Sequence, residues 1–477
     1  MGKIDNYESY DALDLAQLVR KGDVSATELL EAAIESVEER NPTLNAVVTP
    51  MYDEARQSIE AGLPDGPLRG VPFLLKDLGA FYNGVKTSYG STLYAAFVPD
   101  HDSEIVIRYR KAGLVICGKT NTPEFGLTVT TEPRLFGPCR NPWNLDRTTG
   151  GSSGGAAAAV ASGMVPAAHA SDGGGSIRIP ASCCGLFGLK PTRGRVSMGP
   201  DLGEGWNGMS IHHVISRSVR DSAAFLDATA GPALGDPYWA PPPPRPFLEE
   251  VGKDPGNLRI AFTTTPPSGA TVDPACVTAI RETANLCESL GHTIEESSPT
   301  VNQEELGPAT MTLMNTDVRT KLEVRAEALG REPSPEDVER VTWQMAEAGK
   351  ELSAVSYLKA VQTLHRVGRQ VAHFFEDYDI LLSTVLLKPP IPLGVLDMMS
   401  EDRETYIRTI NSFFGFTSLF NVTGQPSMSV PLHWSDDGLP VGLQFTARFG
   451  DEALLFRLAS QLEAAQPWKD RRPSINL

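Results

Sequence analysis

Residues Thr148–Thr192 read TTGGSSGGAAAAVASGMVPAAHASDGGGSIRIPASCCGLFGLKPT, and the rest of the chain is best read outward from them. Ser152 and Ser153 stand between Gly150-Gly151 and Gly154-Gly155, and Ser176 closes the run Gly173-Gly174-Gly175. Glycine loses the most conformational freedom on folding, so clusters of it mark backbone that turns through φ > 0 or approaches something closely. Two such clusters, each beside a hydroxyl, bring exposed N–H groups and a nucleophile into one place. The intervening AAAAVASGMVPAAHA is small and apolar, enough for one short buried helix and a turn or strand that fold the serines towards each other. The stretch is a site, not a linker.

Upstream, residues 11–40 carry helical patterns. Leu13, Leu15, Leu18 and Val19 make a stripe, Gly22 breaks it, and Ser25-Ala-Thr-Glu28 is a capping box before LLEAAIESVEER. Pro42 is expected to end that helix. NAVVTP predicts a short strand, MYDEARQSIEAGL a helix, GVPFLLKDLGA a buried strand ending at Lys76-Asp77, Ser103–Ala112 a helix and LVICGKT a strand. Downstream come a glycine-rich loop, GPDLGEGWNGM, then a strand and helix in HHVISRSVRDSAAFLDATAG. Residues 235–247 hold four consecutive prolines and read as a stiff, extended linker. LRIAFTTT, DYDILLSTVLL, NVTGQPSMSVPL and LPVGLQFTARFG predict further strands. PACVTAIRETANLCESLG and DEALLFRLASQLEAA predict helices, and 303–378 is a mostly helical, more charged cap or rim. Strands alternating with helices predict an α/β layered fold.

The 477 residues, 41% of them apolar, suffice for a large core. With 42 basic against 59 acidic residues the net charge is −17, and no basic block occurs, so nucleic acid and anionic membrane surfaces are not expected partners. The polar N-terminal segment lacks an apolar signal-peptide core, and no run of eighteen apolar residues predicts a membrane span. The six cysteines, Cys117, Cys139, Cys183, Cys184, Cys276 and Cys287, show neither CxxC nor His/Cys ligand spacing. Buried, inert thiols in a reduced cytoplasmic enzyme without structural zinc are the economical reading.

Gly150-Gly151-Ser152-Ser153-Gly154 matches the G-x-S-x-G nucleophile elbow, but an elbow needs a strand entering the turn, and NPWNLDRTT reads as a loop. The P-loop and dinucleotide fingerprints are absent. Histidine is the usual base for a serine nucleophile. His169 alone lies within the central stretch, and a satisfied structural histidine is the plainer reading there. Lys76 is the better candidate. It ends the apolar run VPFLLK, and burial lowers a lysine pKa towards neutrality, where the amine accepts a proton. Without further information a surface or ion-paired lysine would be the commoner outcome.

GGSSGGAAAAVASG and SDGGGSIRIPASCCGLFGLKPTRGR, with VPFLLKD upstream and NVTGQPSMSVP and GLPVGLQF near the end, resemble the amidase signature family over most of the chain. The resemblance implies a single large α/β domain over 1–477 with a central mixed β-sheet covered by helices on both faces. Within it lie N-terminal helices (1–65), a catalytic core (66–235 and 255–300), the helical cap (303–378), and C-terminal strands and helix (379–477). It implies a Ser–cis-Ser–Lys triad of Ser176, Ser152 and Lys76. Gly173, Gly174, Gly175 and Ser176 would supply oxyanion N–H groups. Ser153 would be structural. Asp172 and Arg178 would pair beside the loop, with Arg178 a less favoured substrate ligand. The family often has Ile or Thr where this chain has Gly173, which is expected to loosen the loop.

Pocket walls are expected from Phe125–Thr131, Gly203–His213 and Met311–Thr316. Phe125, Thr128, Thr130, Thr131, Gly151, Trp206 and Met209 are the candidate substrate contacts, with packing on the fold an equal alternative for Trp206. No cofactor or metal is implied, and a homodimer is left open. The flanking segments are most similar to the cyclic nylon-oligomer (6-aminohexanoate cyclic dimer) hydrolases, with urethane-cleaving and aryl-acylamide relatives close behind. The implied activity is hydrolysis of a neutral, largely apolar amide, anilide or carbamate. A carbamate- or ester-selective enzyme is the alternative. An amidotransferase A subunit is disfavoured because Ile179 replaces the glutamine usual there.

Overall fold

Eleven strands form one mixed sheet in the computed structural model, which describes residue 4 and residues 6–474. Residues 1–3 and 5 of the polar N-terminal segment lie outside the described residues. In chain order the strands are β1 (Val47–Pro50), β2 (Pro72–Lys76), β3 (Val115–Thr120), β4 (Arg140–Asn141), β5 (Asn144–Thr148), β6 (Ala167–Asp172), β7 (Phe187–Lys190) and β8 (Ile211–Ser216). They continue with β9 (Arg259–Phe262), β10 (Thr293–Glu296), β11 (Ile380–Thr384), β12 (Ser427–Trp434) and β13 (Pro440–Ala447). The sheet order is β1-β3-β2-β6-β8-β7-β12-β13-β11-β9-β10, and β4-β5 form a separate ribbon. Neighbours are parallel in β3-β2-β6 and in β11-β9-β10, and antiparallel through the middle, from β6 to β11.

Both faces are covered, so the strands read as nearly continuous apolar runs. Alternation sorts their side chains. Phe73, Leu75 and Val214 join one core with Phe225, while Leu74, Ala168, Ala170 and Ile215 join another with the helix Gly154–Ala161. That helix is buried along its whole length, which its glycine and alanine content makes possible. A Cβ on Gly155 would lie 2.4 Å from the Asn121 backbone nitrogen and 2.5 Å from the Ala46 oxygen. The helix N-terminus is thus wedged against the segments bordering β1 and β3, and the two serines before it have one possible location. The region 303–378 folds as helices Gln303–Leu329, Arg340–Lys350 and Ala354–Asp377. Its apolar side chains (Leu313, Leu364, Val371) pack with Phe420 and Met209 in a third core.

Several expectations change. The helix starting at the Ser25 capping box runs through Pro42 to Leu44. Asn41 holds its end, accepting from the N–H groups of Ala46 and Val47 at 2.8 and 2.7 Å. NPWNLDRTT is not a loop: β5 leads almost directly to Gly150. Because β5 pairs with β4 and bridges to the segment 391–393, all outside the main sheet, it is not the core strand of a hydrolase elbow. The edge strand β10 has a mostly exposed TIEE sequence that carries no buried-strand pattern. The short helix Leu419–Thr423 takes up the first residues of NVTGQPSMSVPL, which was read as strand. All six cysteines are free and buried, and no helix among the described residues is long and apolar enough to cross a membrane.

Since the Gly155 contacts are backbone atoms that cannot swing aside, Gly155→Ala is expected to destabilise the fold by about 1–3 kcal/mol. A lowered urea midpoint with unchanged slope would show it, whereas an unchanged midpoint would mean that the helix start has room to move.

Candidate active site

Lys76 ends β2, and its entire side chain is buried. Nζ lies 2.7 Å from Ser152 Oγ and 3.1 Å from Ser171 Oγ. Burial lowers its pKa to about 7, with the Asp172 carboxylate opposing the shift, so near neutrality a large share of the amine is unprotonated. Ser152 follows a cis peptide bond from Gly151 and is itself buried. Its surroundings are fitted closely. A Cβ on Gly126 would come 3.0 Å from Ser152 Oγ, and one on Gly151 would come 2.4 Å from the Thr130 oxygen. Thr131 Oγ1 donates to the Gly150 carbonyl at 2.9 Å and accepts from the Gly154 N–H at 3.2 Å, clasping the loop on both sides of the serines. Ser153 Oγ bridges to β6 through the Ser171 carbonyl and N–H at 3.3 and 3.4 Å.

The second loop hangs from a buried ion pair. Arg178 and Asp172 are fully buried and meet through two bonds, Nε to Oδ2 and Nη2 to Oδ1, each 2.9 Å. Asp172 also accepts from the backbone N–H groups of Ile177 and Arg178, so its carboxylate closes the loop it precedes. Burial raises the Asp172 pKa, but Arg178 and the bond from Asn421 more than offset this and leave it at about 2. The remaining Arg178 donors go to the Thr417 carbonyl, Gln444 Oε1 and Asn421 Oδ1 at 3.0, 2.8 and 2.6 Å. All five guanidinium N–H groups are therefore used within the protein, which leaves Arg178 a scaffold rather than a substrate ligand.

Within that frame the carbonyls of Gly174 and Gly175 are taken by Thr417 Oγ1 and the Ile179 N–H, at 2.6 and 2.7 Å. The N–H groups of Gly174, Gly175 and Ser176 have no acceptor among the described residues, and Ser176 is half-buried. Its hydroxyl likewise has no hydrogen-bond partner among the described residues. The Lys76–Ser152 half of the expected triad is a formed hydrogen bond, and the Ser152–Ser176 half is not. Gly173 does not slacken the loop as expected. The Trp206 ring occupies the space its side chain would fill, 2.8 Å from a Cβ there.

The candidate substrate contacts divide by placement. Trp206, in the left-handed region at φ 49°, donates Nε1 to Asp317 Oδ2 at 2.8 Å. It also lines a cavity of about 410 Å³ with Leu313, Asp317, Leu352 and Tyr357. Met209 is buried behind it, its carbonyl accepting from Asn421. Phe125 is buried against Tyr89 and Tyr94, Thr128 bonds to Tyr406 at 2.9 Å, and Thr130 is buried. His169 is buried and neutral, as a structural histidine would be, its pKa pushed well down by burial and by His212 and Lys76 beside it. Ser171, Thr417, Asn421 and Gln444 went unread in the sequence. Asn421 and Gln444 lie inside NVTGQPSMSVPL and LPVGLQFTARFG, segments read there for their strands and for the family resemblance but not for these side chains. Among the described residues no group of three His, Cys, Asp or Glu side chains is placed to hold a metal.

A family model described as Amidase matches residues 28–456. The chain is 40% identical over 491 aligned positions to the 6-aminohexanoate-cyclic-dimer hydrolase of Paenarthrobacter ureafaciens, covering 100% of this chain and 98% of that protein. A solved structure of 6-aminohexanoate cyclic dimer hydrolase complexed with substrate superposes with a TM-score of 0.92 at 38% identity, covering 99% of this chain and 100% of that one. A bacterial aryl acylamidase of the amidase signature family superposes with a TM-score of 0.87 at 28% identity, covering 96% of each chain.

Arg178→Met leaves a buried carboxylate without its cation, and is expected to cost about 3–5 kcal/mol in urea unfolding. The pH dependence has a definite sign. Asp172 has a depressed pKa, so its contribution is present above the unfolded carboxylate value of about 3.9 and is lost as pH falls through about 2. Arg178→Met raises that pKa, so acid unfolding should begin at a higher pH than in the parent; coincident acid transitions would show that the pair does not govern Asp172.

Proposed function

Because this chain belongs to the amidase signature family and is a hydrolase of amide C–N bonds, we propose that it cleaves a neutral, largely apolar carboxamide through an acyl-enzyme on Ser176. The observation that carries the mechanism is the 2.7 Å contact between a fully buried, readily deprotonated amine and Ser152 Oγ. In the proposed cycle neutral Lys76 takes the Ser152 proton while Ser152 takes that of Ser176. Ser176 Oγ then attacks the carbonyl carbon. Negative charge on the carbonyl oxygen is received by the N–H groups of the 173–176 loop, whose bare glycines let the carbonyl approach; a donor of this kind is typically worth about 10²–10³ in rate. The proton returns through Ser152 to the leaving nitrogen, the C–N bond breaks and the amine departs. Water, deprotonated by the same relay, releases the acid.

Substrate choice rests on two supports. Two of the relatives quoted above are named as hydrolases of 6-aminohexanoate cyclic dimer, and the cavity beside the glycine loop sets Trp206, Leu313, Leu352 and Tyr357 beside Glu204, Asn207 and Asp317. Both favour a flexible aliphatic amide, linear or cyclic, with 6-aminohexanoate cyclic dimer the first compound to assay. Ile179 stands where an amidotransferase A subunit usually carries glutamine, which favours a free-standing hydrolase over a transamidase subunit. Six free thiols suit a reducing compartment, and we place the enzyme in the cytoplasm.

A fluorophosphonate is expected to label Ser176, and Ser176→Ala to abolish both labelling and turnover. Label on Ser152, with Ser176→Ala still active, would overturn the assignment. The active form of Lys76 is the neutral amine, so kcat should climb with pH and reach half its plateau near pH 7. Lys76→Ala is expected to lose about 10²–10⁴ of the rate and that acid limb with it. An unaltered limb in the variant would remove Lys76 from the proton path.

A further inference from the structure

Lys76 is gripped at both ends by a single strand. Besides the Nζ contact to Ser171, its backbone N–H donates to the His169 ring at Nδ1, 3.1 Å away. His169 and Ser171 stand two residues apart on β6, so both leave the same side of that strand. The recorded register of β2 with β6 is the single pair Leu74–Ala168, and just beyond it an imidazole stands where a ladder carbonyl would accept. A backbone amide can only donate, which fixes the tautomer. Nδ1 of His169 carries the lone pair and Nε2 carries the proton. Nε2 then donates to Nδ1 of His212 on β8, at 3.0 Å, so His212 holds its own proton on Nε2.

Burial keeps this pair neutral, and the titratable groups facing it oppose a charge on it only when they are themselves protonated. Lys76 faces it from β2, Lys119 from β3 and His213 from β8, with Asp172 on β6 opposing at Lys76. Burial and these neighbours push His169 far down, and burial with Lys76 lowers His212 to about 4. A protonated His169 would turn a ring N–H against the Lys76 N–H and break the grip.

The geometry points to His169 as a positioning residue for the base: its ring nitrogen, oriented by His212, sets the Lys76 backbone so that the amine meets Ser152 in a dry site. This rests on the reading of Lys76 as the base. His169→Leu keeps bulk and removes the acceptor, whereas His169→Asn restores an acceptor near Nδ1. On an amide substrate the Leu variant is expected to lower kcat about 10–100-fold, since misplacement by ~1 Å costs that much, with KM changed less than about threefold. Its acid limb should move up by about one pH unit, as water reaching the amine returns it towards an ordinary lysine. His169→Asn should stay near the parent in both respects. An unmoved limb in His169→Leu, or equal losses in the two variants, overturns the assignment. If His169→Leu does not fold, His212→Leu releases the ring orientation and should shift the limb the same way; no shift there is equally fatal. Lys76→Ala separates the two readings, because an acid limb persisting in that variant is a failure of the base assignment rather than of His169.

Discussion

An amine buried without a contacting carboxylate is the constraint on which this structure turns. Desolvation brings the Lys76 amine to a pKa of about 7, and any water or carboxylate brought against it would return it towards an ordinary lysine. Much of the surrounding fold serves to keep that environment dry. Apolar β2 is enclosed between strands, the all-buried helix Gly154–Ala161 covers one face, and close-fitting glycines bring the neighbouring backbones against Ser152. The hydroxyls of Ser152 and Ser171 satisfy the amine while adding no charge.

The glycine loop meets the opposite requirement. It needs charge at its root and none at its tip. Asp172 and Arg178 neutralise each other at the base, with every guanidinium N–H occupied, while the amides of Gly174, Gly175 and Ser176 stay uncommitted. Leaving donors unpaired has an energetic cost that only a partly open site tolerates, and the half-buried setting of Ser176 fits that. Trp206 adds a link of its own. Its ring rests on Gly173 while its indole nitrogen holds Asp317 of the helix Gln303–Leu329, so the loop and the cap region share one side chain.

How much of this could be read from the sequence follows from how local each signal is. Glycine clusters beside serines, a lysine closing an apolar run and an Asp–Arg pair six positions apart are legible because their chemistry is written within a few residues. The sheet was legible as alternating strands and helices for the same reason. Ser171, Thr417, Asn421 and Gln444 were not, because a lone serine, threonine or carboxamide gains its role only from what the fold places opposite. Gly173 was misread as slack, since its filling residue lies over thirty positions away in the loop containing Trp206. The capping box at Ser25 was plain, yet Pro42 did not stop the helix, which runs on to Leu44 before Asn41 Oδ1 accepts from the N–H groups of Ala46 and Val47 beyond its end.

The anchors of Arg178 lie 239, 243 and 266 residues further along the chain. While the polypeptide is being made, the loop carrying Ser176 therefore emerges long before anything exists to hold it. Until the segment containing Asn421 has left the ribosome, the guanidinium has only Asp172 as a side-chain partner, and Gln444 follows later still. A prematurely ended product could bury much of its apolar surface and still present an unshaped serine. The loop before Ser176 is thus held at its root by groups that the chain supplies more than two hundred residues later.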